Sequence, residues 1–286
     1  MKRLYTFIAA LFVTAVTFSQ PLNNGATGPA GIKLDKGQKI IIENTTTIDA
    51  SLAMGMELNG NSIAVNSLEV KNTTDQNYTI SNTLTKLKAN MNMMGQANNY
   101  DSDNRESNNE EMAKVFDNAI NNPADVVLDN TTGKTKAGSK KIKRTDTDEA
   151  NPAADLMKMF ADNSDEAIVS GAFVLIPNGK KTGEQWSDTS SAKDLKTIRK
   201  YTLAAVTGNE AIIQLDAVTT ALNKMDFQGM AFELKTETIT KGEIQVDINT
   251  GLVKKRTTAA EITGSLPMMG QDMPISAKVA STSIYN

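Results

Sequence analysis

The sequence of 286 residues contains neither histidine nor cysteine. Histidine is the usual general base near neutral pH, and cysteine supplies nucleophilic thiols and zinc ligands. Catalysis by Ser-His-Asp or Cys-His groups is therefore excluded, and no motif indicates a carboxylate or Ser-Lys mechanism. We predict that the protein is not an enzyme and that it has no catalytic residues and no cofactor.

Aromatic residues are also scarce, at 5% of the chain with Trp186 as the single tryptophan. Carbohydrate modules need exposed aromatic rings, so a sugar-binding module is disfavoured, and we expect Trp186 to anchor a core. The formal net charge of −3 gives no reason to expect a nucleic acid partner. Without disulfides, stability must come from burial of apolar side chains.

The amino terminus has the three parts of a secretory signal peptide. Lys2 and Arg3 precede an apolar run from Leu4 to Phe18, and small residues follow up to Ser19. This run is shorter than the ~20 apolar residues of a membrane-spanning helix. We expect residues 1–19 to be a signal peptide, so that the protein is exported to the periplasm or secreted and is not an integral membrane protein.

Most of the chain after residue 33 has the pattern of short β-strands separated by turns. Residues 20–33 are rich in Gly, Asn and Pro and predict a flexible leader. Lys39–Thr47 is β-branched, and Asn59–Asn61 has the Asn-Gly signature of a hairpin turn. Tyr201–Tyr285 alternates in the same way around a turn at Asp247–Gly251.

Two segments have the period of a helix instead. Met112, Val115, Phe116, Ala119 and Ile120 predict a helix over Ser107–Ile120, with Ser107 and Glu110 spaced as a capping box. Pro152–Asp162 predicts a second helix after Asn151. From Ala167 onward we expect β-structure again.

These elements predict a mainly β fold with a minor α component, built of two related lobes of curved antiparallel sheet with one or two packed helices. We place the N-terminal lobe with its inserted helix at residues 34–145, a helical connector at 146–166 and the C-terminal lobe at 167–286.

Three pairs of segments align in the same order between the two halves and suggest an internal repeat. Lys36–Gln38 resembles Thr182–Gln185, and Leu68–Leu87 aligns with Leu203–Leu222. The third pair consists of the turns at 128–133 and 246–251. The sequence separation between the two members of a pair differs by 17 residues between the second and the third pair. This is about the length of the first predicted helix, so the first half resembles the second with one helix inserted. Similar hairpins can also align by chance, because regular strand-and-turn spacing is common in β proteins.

The 14 methionines occur in clusters. Residues two apart on a strand share a face, and thioethers bind Cu(I), so the sequence provides candidate Cu(I) ligands. We favour the alternative that methionine fills an apolar face or lines an adaptable pocket. The reason is that a Cu(I) site in this chain would have only thioether ligands. The candidate ligands are Met54, Met56, Met91, Met93 and Met94.

Four short motifs resemble those of an uncharacterised, domain-of-unknown-function family of exported β-rich proteins from Bacteroidota. They are Lys36–Gln38, Tyr100–Ser102, Pro177–Trp186 and Asp247–Gly251. The resemblance implies export and a β-rich fold, and it brings no catalytic or binding residue.

The leading hypothesis is a non-enzymatic envelope protein that binds an apolar or lipid-like ligand or a protein partner. A curved sheet covered by a helix can enclose an apolar cavity, and methionine suits a ligand of variable shape. The alternatives are a structural or interaction protein without a small-molecule site, and a Met-based Cu(I)-binding protein.

Overall fold

The computed structural model describes residues 31–52, 56–93, 95–137, 164–192, 194–227, 230–268 and 271–286. The predicted helix Pro152–Asp162 lies outside these residues, as do the predicted signal peptide and most of the leader. The domain boundaries stay predictions.

The described chain is mainly β, as predicted, and forms an antiparallel sheet of twelve strands. The strands are β1 Lys39–Leu52, β2 Met56–Thr73, β3 Asn77–Met93, β4 Gln96–Asp101, β5 Ala124–Asp129, β6 Thr135–Ala137, β7 Gln185–Ala192, β8 Leu195–Thr207, β9 Glu210–Phe227, β10 Met230–Asp247, β11 Val253–Met268 and β12 Gln271–Tyr285. Two α-helices accompany them, α1 Glu110–Phe116 and α2 Ser164–Gly171, with a short 3-10 turn at Arg105–Ser107.

The order of the strands joins the two halves of the chain in one sheet. It runs β6-β5-β3-β2-β1-β12-β11-β10-β9-β8-β7, and β4 pairs with the C-terminal part of β3. β1 pairs with β12 from Ile42–Tyr285 to Ser51–Ser276. The predicted division into two lobes is not confirmed, because this ladder continues the sheet from one half into the other.

We call the face that carries most buried side chains the inner face. Alternation along β9 shows it clearly, since Ala211, Ile213, Leu215 and Ala217 are buried and the residues between them are more exposed. The hairpins β1–β2, β3–β4, β7–β8, β9–β10 and β11–β12 turn at one end of the strands, the hairpin end. We call the opposite end the closed end.

The main core lies at the closed end of the inner face. Leu68 and Val126 of the first half and Leu203 and Ile244 of the second half belong to the same buried cluster, which also includes Val169 of α2. Strands that are far apart in the sheet can share one core only if the sheet curves. The sheet therefore curves around α2 and the residues that follow it.

Helix α2 replaces the β-structure that the sequence predicts from Ala167. Asp165 and Glu166 stand in its first turn, where negative charge stabilises a helix. Val169 and Ala172 are buried, and the Tyr285 hydroxyl donates to the Gly171 carbonyl oxygen at 3.2 Å. The prediction was wrong here because a short apolar run fits both a strand and a helix. In the structure these apolar residues belong to a helix and pack against the sheet.

The predicted hairpin turn at Asn59–Asn61 is also wrong, because these residues lie inside β2. Gly60 pairs with Ile48 on one side and Met91 on the other. A Cβ atom at Gly60 would come within 3.1 Å of the Ile48 side chain and 3.3 Å of the Met91 side chain. This glycine allows a close approach of neighbours and does not form a turn.

The first predicted helix is confirmed in part, since α1 occupies the middle of Ser107–Ile120. The expected capping box does not form its N-terminus. Instead, Asn109 Oδ1 accepts a hydrogen bond from the Met112 N–H at 3.3 Å. Met112 is buried beside Leu87 and Tyr100, and so α1 covers a small second cluster on β3 and β4.

Two turns at the closed end have the same hydrogen bonds. The Oδ1 atoms of Asp129 and Asp247 each accept from the N–H groups two and three residues further on. Gly133 and Gly251, with φ of 67° and 73°, donate to the carbonyl oxygens of these aspartates. An internal repeat would produce such a correspondence, but the repeat itself stays a prediction.

Candidate functional site

Methionine positions of both halves lie on strands that turn at the hairpin end of the sheet. We call these positions the methionine rim. They occupy β2, β3, β9, β10, β11 and β12, which with β1 form one continuous part of the sheet, and they are Met56, Met91, Met93, Met225, Met230, Met268 and Met273.

Two rim side chains are described, and their face follows from alternation along their strands. Met91 of β3 is two residues from buried Ala89, and Met273 of β12 is two residues from buried Ile275. Both methionines are half-buried and occupy the inner face.

Other described apolar residues lie on this part of the inner face. Leu58 of β2, Leu234 of β10, Ile262 of β11 and Ile275 of β12 are buried. Together with Met91 and Met273 they form what we call the apolar zone.

Among the predicted Cu(I) ligands, Met91 is half-buried and belongs to this zone. Met93 follows two residues later on β3, and Met56 is the first residue of β2. Met54 and Met94 lie outside the described residues. The sequence suggested this local group, but it did not indicate that β12 brings Met273 to the same face as Met91.

A polar patch lies between the methionine rim and the core. Ser281 and Ser283 of β12 donate to Asn44 Oδ1 of β1 at 2.8 and 3.0 Å. The Asn44 amide also donates to Thr46 Oγ1 at 3.3 Å. All four side chains are half-buried. Arg256 of β11 is the ladder partner of Ser283 and is only 7% exposed.

A buried ion pair stands on the same face near the edge of the sheet. Arg199 Nη1 donates to Asp188 Oδ1 at 2.7 Å, and the Tyr201 hydroxyl donates to Asp188 Oδ2 at 3.2 Å. Burial raises the pKa of Asp188, and Arg199 opposes this effect. Burial and the charge of Asp188 raise the pKa of Tyr201. These contacts tie β7 to β8.

Trp186 lies beside this ion pair in the main core. It is 7% exposed, and its ring stacks on Tyr201 with a centroid distance of 5.3 Å. The structural role predicted for Trp186 is therefore confirmed. Sequence reasoning missed Asp188, Arg199 and Arg256, although Arg199 alternates with buried Thr197, Tyr201 and Leu203 at a period of two.

The outer face has features of a different kind. A depression of ≈ 380 Å³ is lined by Ser67, Glu69, Lys71, Ser81, Thr83, Pro123 and Asp125, so its lining suits polar molecules. Ile198, Val218 and Ile239 form a row across β8, β9 and β10 and are 46%, 41% and 46% exposed. This apolar row favours the alternative of a protein partner.

Within the part of the chain that the structure describes, no group of three or more Asp or Glu residues is placed to hold a metal ion. Among the same residues, no helix is long and apolar enough to span a membrane.

Residues 75–253, more than half of the chain, match the model of a family of unknown function, DUF6263. No curated protein matches the sequence. Among solved structures, lipovitellin, studied for its lipid–protein interactions, is 8% identical with a TM-score of 0.49, and the match covers 89% of this chain but only 25% of that chain.

Two outer membrane proteins are further from this fold. An outer membrane channel from Pseudomonas putida F1 is 9% identical with a TM-score of 0.25, over 93% of this chain and 100% of that one. OccK5 (OpdH) from Pseudomonas aeruginosa is 7% identical with a TM-score of 0.22, and the match covers 90% of this chain and 99% of that chain. With TM-scores below 0.5, none of the three likenesses supports a shared function.

Proposed function

We propose that this chain, which belongs to the family of unknown function DUF6263, binds an apolar, lipid-like ligand at the methionine rim and catalyses no reaction. The single observation that carries the proposal is that Met91 and Met273, from the two halves of the chain, are half-buried on the inner face at the hairpin end of the sheet. Methionine is unbranched and polarizable, so it adapts to apolar ligands of variable shape.

The described side chains of this zone support an apolar lining. Leu58, Leu234, Ile262 and Ile275 are buried, and Met91 and Met273 are half-buried. Met91 and Met273 still expose part of their surface, and burial of apolar surface against a ligand contributes about 25 cal/mol per Å².

We test this with an uncharged fluorescent long-chain alcohol and the variant Met273→Gln. Ile284→Gln is the matched control, because it lies on the same strand but on the outer face. We expect Met273→Gln to weaken binding about tenfold or more and the control to bind as the wild type does. Equal affinities for all three proteins would contradict the proposed site.

We also propose that the protein acts outside the cytoplasm, in the periplasm or as a secreted protein. The support is the sequence of Lys2, Arg3 and the apolar run Leu4–Phe18. Mass spectrometry of the protein from fractionated cells is expected to find a mature chain that begins near Gln20. A full-length chain in the cytoplasmic fraction would contradict export.

Cu(I) binding is a second candidate, because Met91 and Met93 are two residues apart on β3, which pairs with the strand that begins at Met56. Three thioethers can hold Cu(I). The test is a Cu(I) titration of the wild type and of a Met91→Leu/Met93→Leu variant. Binding in the wild type alone would support this function, and equal uptake by both proteins would exclude this group of residues.

A further inference from the structure

The edge strands of the sheet differ in how they are protected against pairing with another chain. Short length, lysine and covering contacts provide such protection. β6 has only three residues, with Lys136 in the middle. Along β4, the Asn109 N–H donates to the Asn99 carbonyl oxygen at 2.9 Å, and the Asp101 N–H donates to Asn108 Oδ1 at 2.7 Å. β7, the edge strand at the other end of the sheet, has eight residues without Lys, Arg or Pro.

The hydrogen bonds at the start of β7 show which of its backbone groups point away from the sheet. The Leu203 N–H donates to the Glu184 carbonyl oxygen at 3.0 Å, so this oxygen points to β8. The direction alternates along a strand, and therefore the N–H and C=O groups of Ser187, Thr189 and Ser191 point away from β8. Among the described residues, no strand pairs with this side of β7. These groups form a row of donors and acceptors that a further strand can bind.

β7 is held in register and presents no charge at this edge. Its charged residue, Asp188, is buried and forms the ion pair with Arg199 at 2.7 Å. The exposed side chains of the strand are uncharged and belong to Gln185, Ser187, Thr189 and Ser191. A segment whose conformation is fixed in advance loses little entropy on binding. β7 is therefore suited to pair with another strand and is not repelled by a second copy of itself.

Two copies of β7 can pair antiparallel around a two-fold axis, and the position of the axis decides which residues meet. With the axis at Asp188, this carboxylate lies opposite its own copy, which is unfavourable. With the axis at Ser187, the Gln185 carbonyl oxygen has to accept from the other strand. This oxygen already accepts a hydrogen bond from Lys180 Nζ at 2.7 Å. Both registers therefore conflict with contacts of the protein.

The register with its axis at Thr189 has neither conflict. Thr189 then lies opposite Thr189 of the second copy, and Ser187 lies opposite Ser191. Each of these pairs exchanges two backbone hydrogen bonds, and cross-strand pairs of hydroxyl side chains stabilise a sheet. On the inner face, Asp188 lies opposite the uncharged Ser190. This register uses the outward backbone groups of all three residues.

We propose that β7 is an interface whose partner is β7 of a second copy of this chain, paired antiparallel around Thr189 so that the two sheets continue as one. This surface uses no residue of the apolar zone, and the inference does not depend on the proposed function. The surface is small, so the dimer is reversible, with a dissociation constant in the micromolar range.

The test is sedimentation velocity of the mature protein at concentrations from about 1 to 500 μM, a range that covers micromolar dissociation constants. We expect the wild type to change from monomer to dimer within this range. Thr189→Pro removes an N–H that points away from β8, a place where an edge strand tolerates proline. Because two hydrogen bonds at the axis are lost, this variant is expected to weaken the dimer about tenfold or more. Thermal melting checks that each variant is folded.

Two double variants test the register. Ser187→Lys/Ser191→Lys places like charges opposite each other in both outer pairs and is expected to weaken the dimer. Ser187→Lys/Ser191→Glu places opposite charges in the same pairs and is expected to dimerise at least as well as the wild type. Thr220→Lys is the matched control, because Thr220 is exposed on the outer face of β9, away from the edge. It is expected to dimerise as the wild type does.

A wild type that stays monomeric over the whole range overturns the inference and leaves this edge to a strand of another protein. A dimer that folded Thr189→Pro keeps, or equal dimerisation of the two double variants, overturns it as well.

Hydrogen exchange of the wild type tests the interface without any variant. The backbone N–H groups of Ser187, Thr189 and Ser191 are expected to exchange more slowly at high than at low protein concentration. Those of Trp186 and Asp188 point to β8 and are expected to show no such change. Exchange at the first three residues that does not depend on concentration overturns the pairing, even if every variant fails to fold.

Discussion

Arg199 and Asp188 form a buried ion pair between β7 and β8, with an N–O distance of 2.7 Å and side-chain exposures of 0% and 1%. β7 is the last strand in the order of the sheet. A buried pair is costly to break, because the remaining charge loses its partner in a medium of low dielectric constant. This contact therefore holds an edge strand in register.

We predict that Asp188→Asn lowers the free energy of unfolding by about 3 kcal/mol. Denaturant unfolding, followed by the fluorescence of the single tryptophan Trp186, measures the change. Glu69→Gln is the control, because Glu69 forms an exposed ion pair with Lys71 at 2.9 Å, and its loss is expected to leave the unfolding midpoint unchanged. Equal effects of the two substitutions would contradict a special role for the buried pair.

The second prediction concerns glycine at the closed end. Gly251 has φ of 73°, and a Cβ atom there would lie 3.2 Å from the Leu175 side chain and 3.4 Å from the Val174 carbonyl oxygen. Gly208 has φ of 59° and open space around it. A left-handed conformation costs an L-residue about 1–2 kcal/mol.

Both Gly208→Ala and Gly251→Ala are therefore expected to destabilise the protein, and Gly251→Ala by the larger amount because it adds crowding in the core. The difference between their melting temperatures measures the crowding alone. A Gly251→Ala variant that melts at or above the temperature of Gly208→Ala would show that the turn does not pack against residues 174–175 as described.

The third prediction follows from the turn at Asp129. Burial raises the pKa of this carboxyl, but hydrogen bonds from Thr132 and Thr131 and the charge of Lys134 lower it more, so that the net shift is downward. A carboxyl with a lowered folded-state pKa stabilises the fold above its ordinary pKa of about 3.9. This contribution is lost as the pH falls through the folded-state pKa.

We expect wild type to be more stable than Asp129→Asn at pH 6 and the difference to shrink as the pH falls below about 4. Urea unfolding of both proteins at several pH values tests this. A difference that stays constant down to pH 2.5 would mean that the ionised carboxylate does not stabilise the turn.

The sequence predicted those parts of the fold that depend on local signals. The turn at Asp247–Gly251 was predicted because aspartate and glycine in that spacing satisfy their own backbone groups. The error at Asn59–Asn61 has a physical cause. The same Asn-Gly pair can form a turn or allow close packing, and only the neighbours Ile48 and Met91 decide between these.

The order of the strands could not be predicted in this way. β1 pairs with β12, so Thr46 contacts Ser281 across a separation of 235 residues. Met91 and Met93 could be grouped by alternation on one strand. Their relation to Met230 and Met273 depends on that distant pairing, which brings four separate hairpins to one end of the sheet.

Arg256 could have been found only in part. The sequence indicates only weakly that Arg256 is buried on β11. Lys254 and Lys255 precede it, so the three cations do not show the alternation of apolar and polar residues that marks the buried face of a strand. The place of Arg256 next to Ser283 of the polar patch again requires the pairing of β11 with β12. A single cation within a basic run does not indicate which residue faces inward.

Native mass spectrometry of the mature protein, purified from its own cells, tests the central claim most directly. The wild type is expected to carry an additional mass of several hundred daltons that organic extraction removes. The folded variant Met273→Gln should lack it, and Ile284→Gln should retain it. A wild type that shows only the mass of the bare chain, or a bound mass that Met273→Gln keeps, would contradict binding of a lipid-like ligand at the methionine rim.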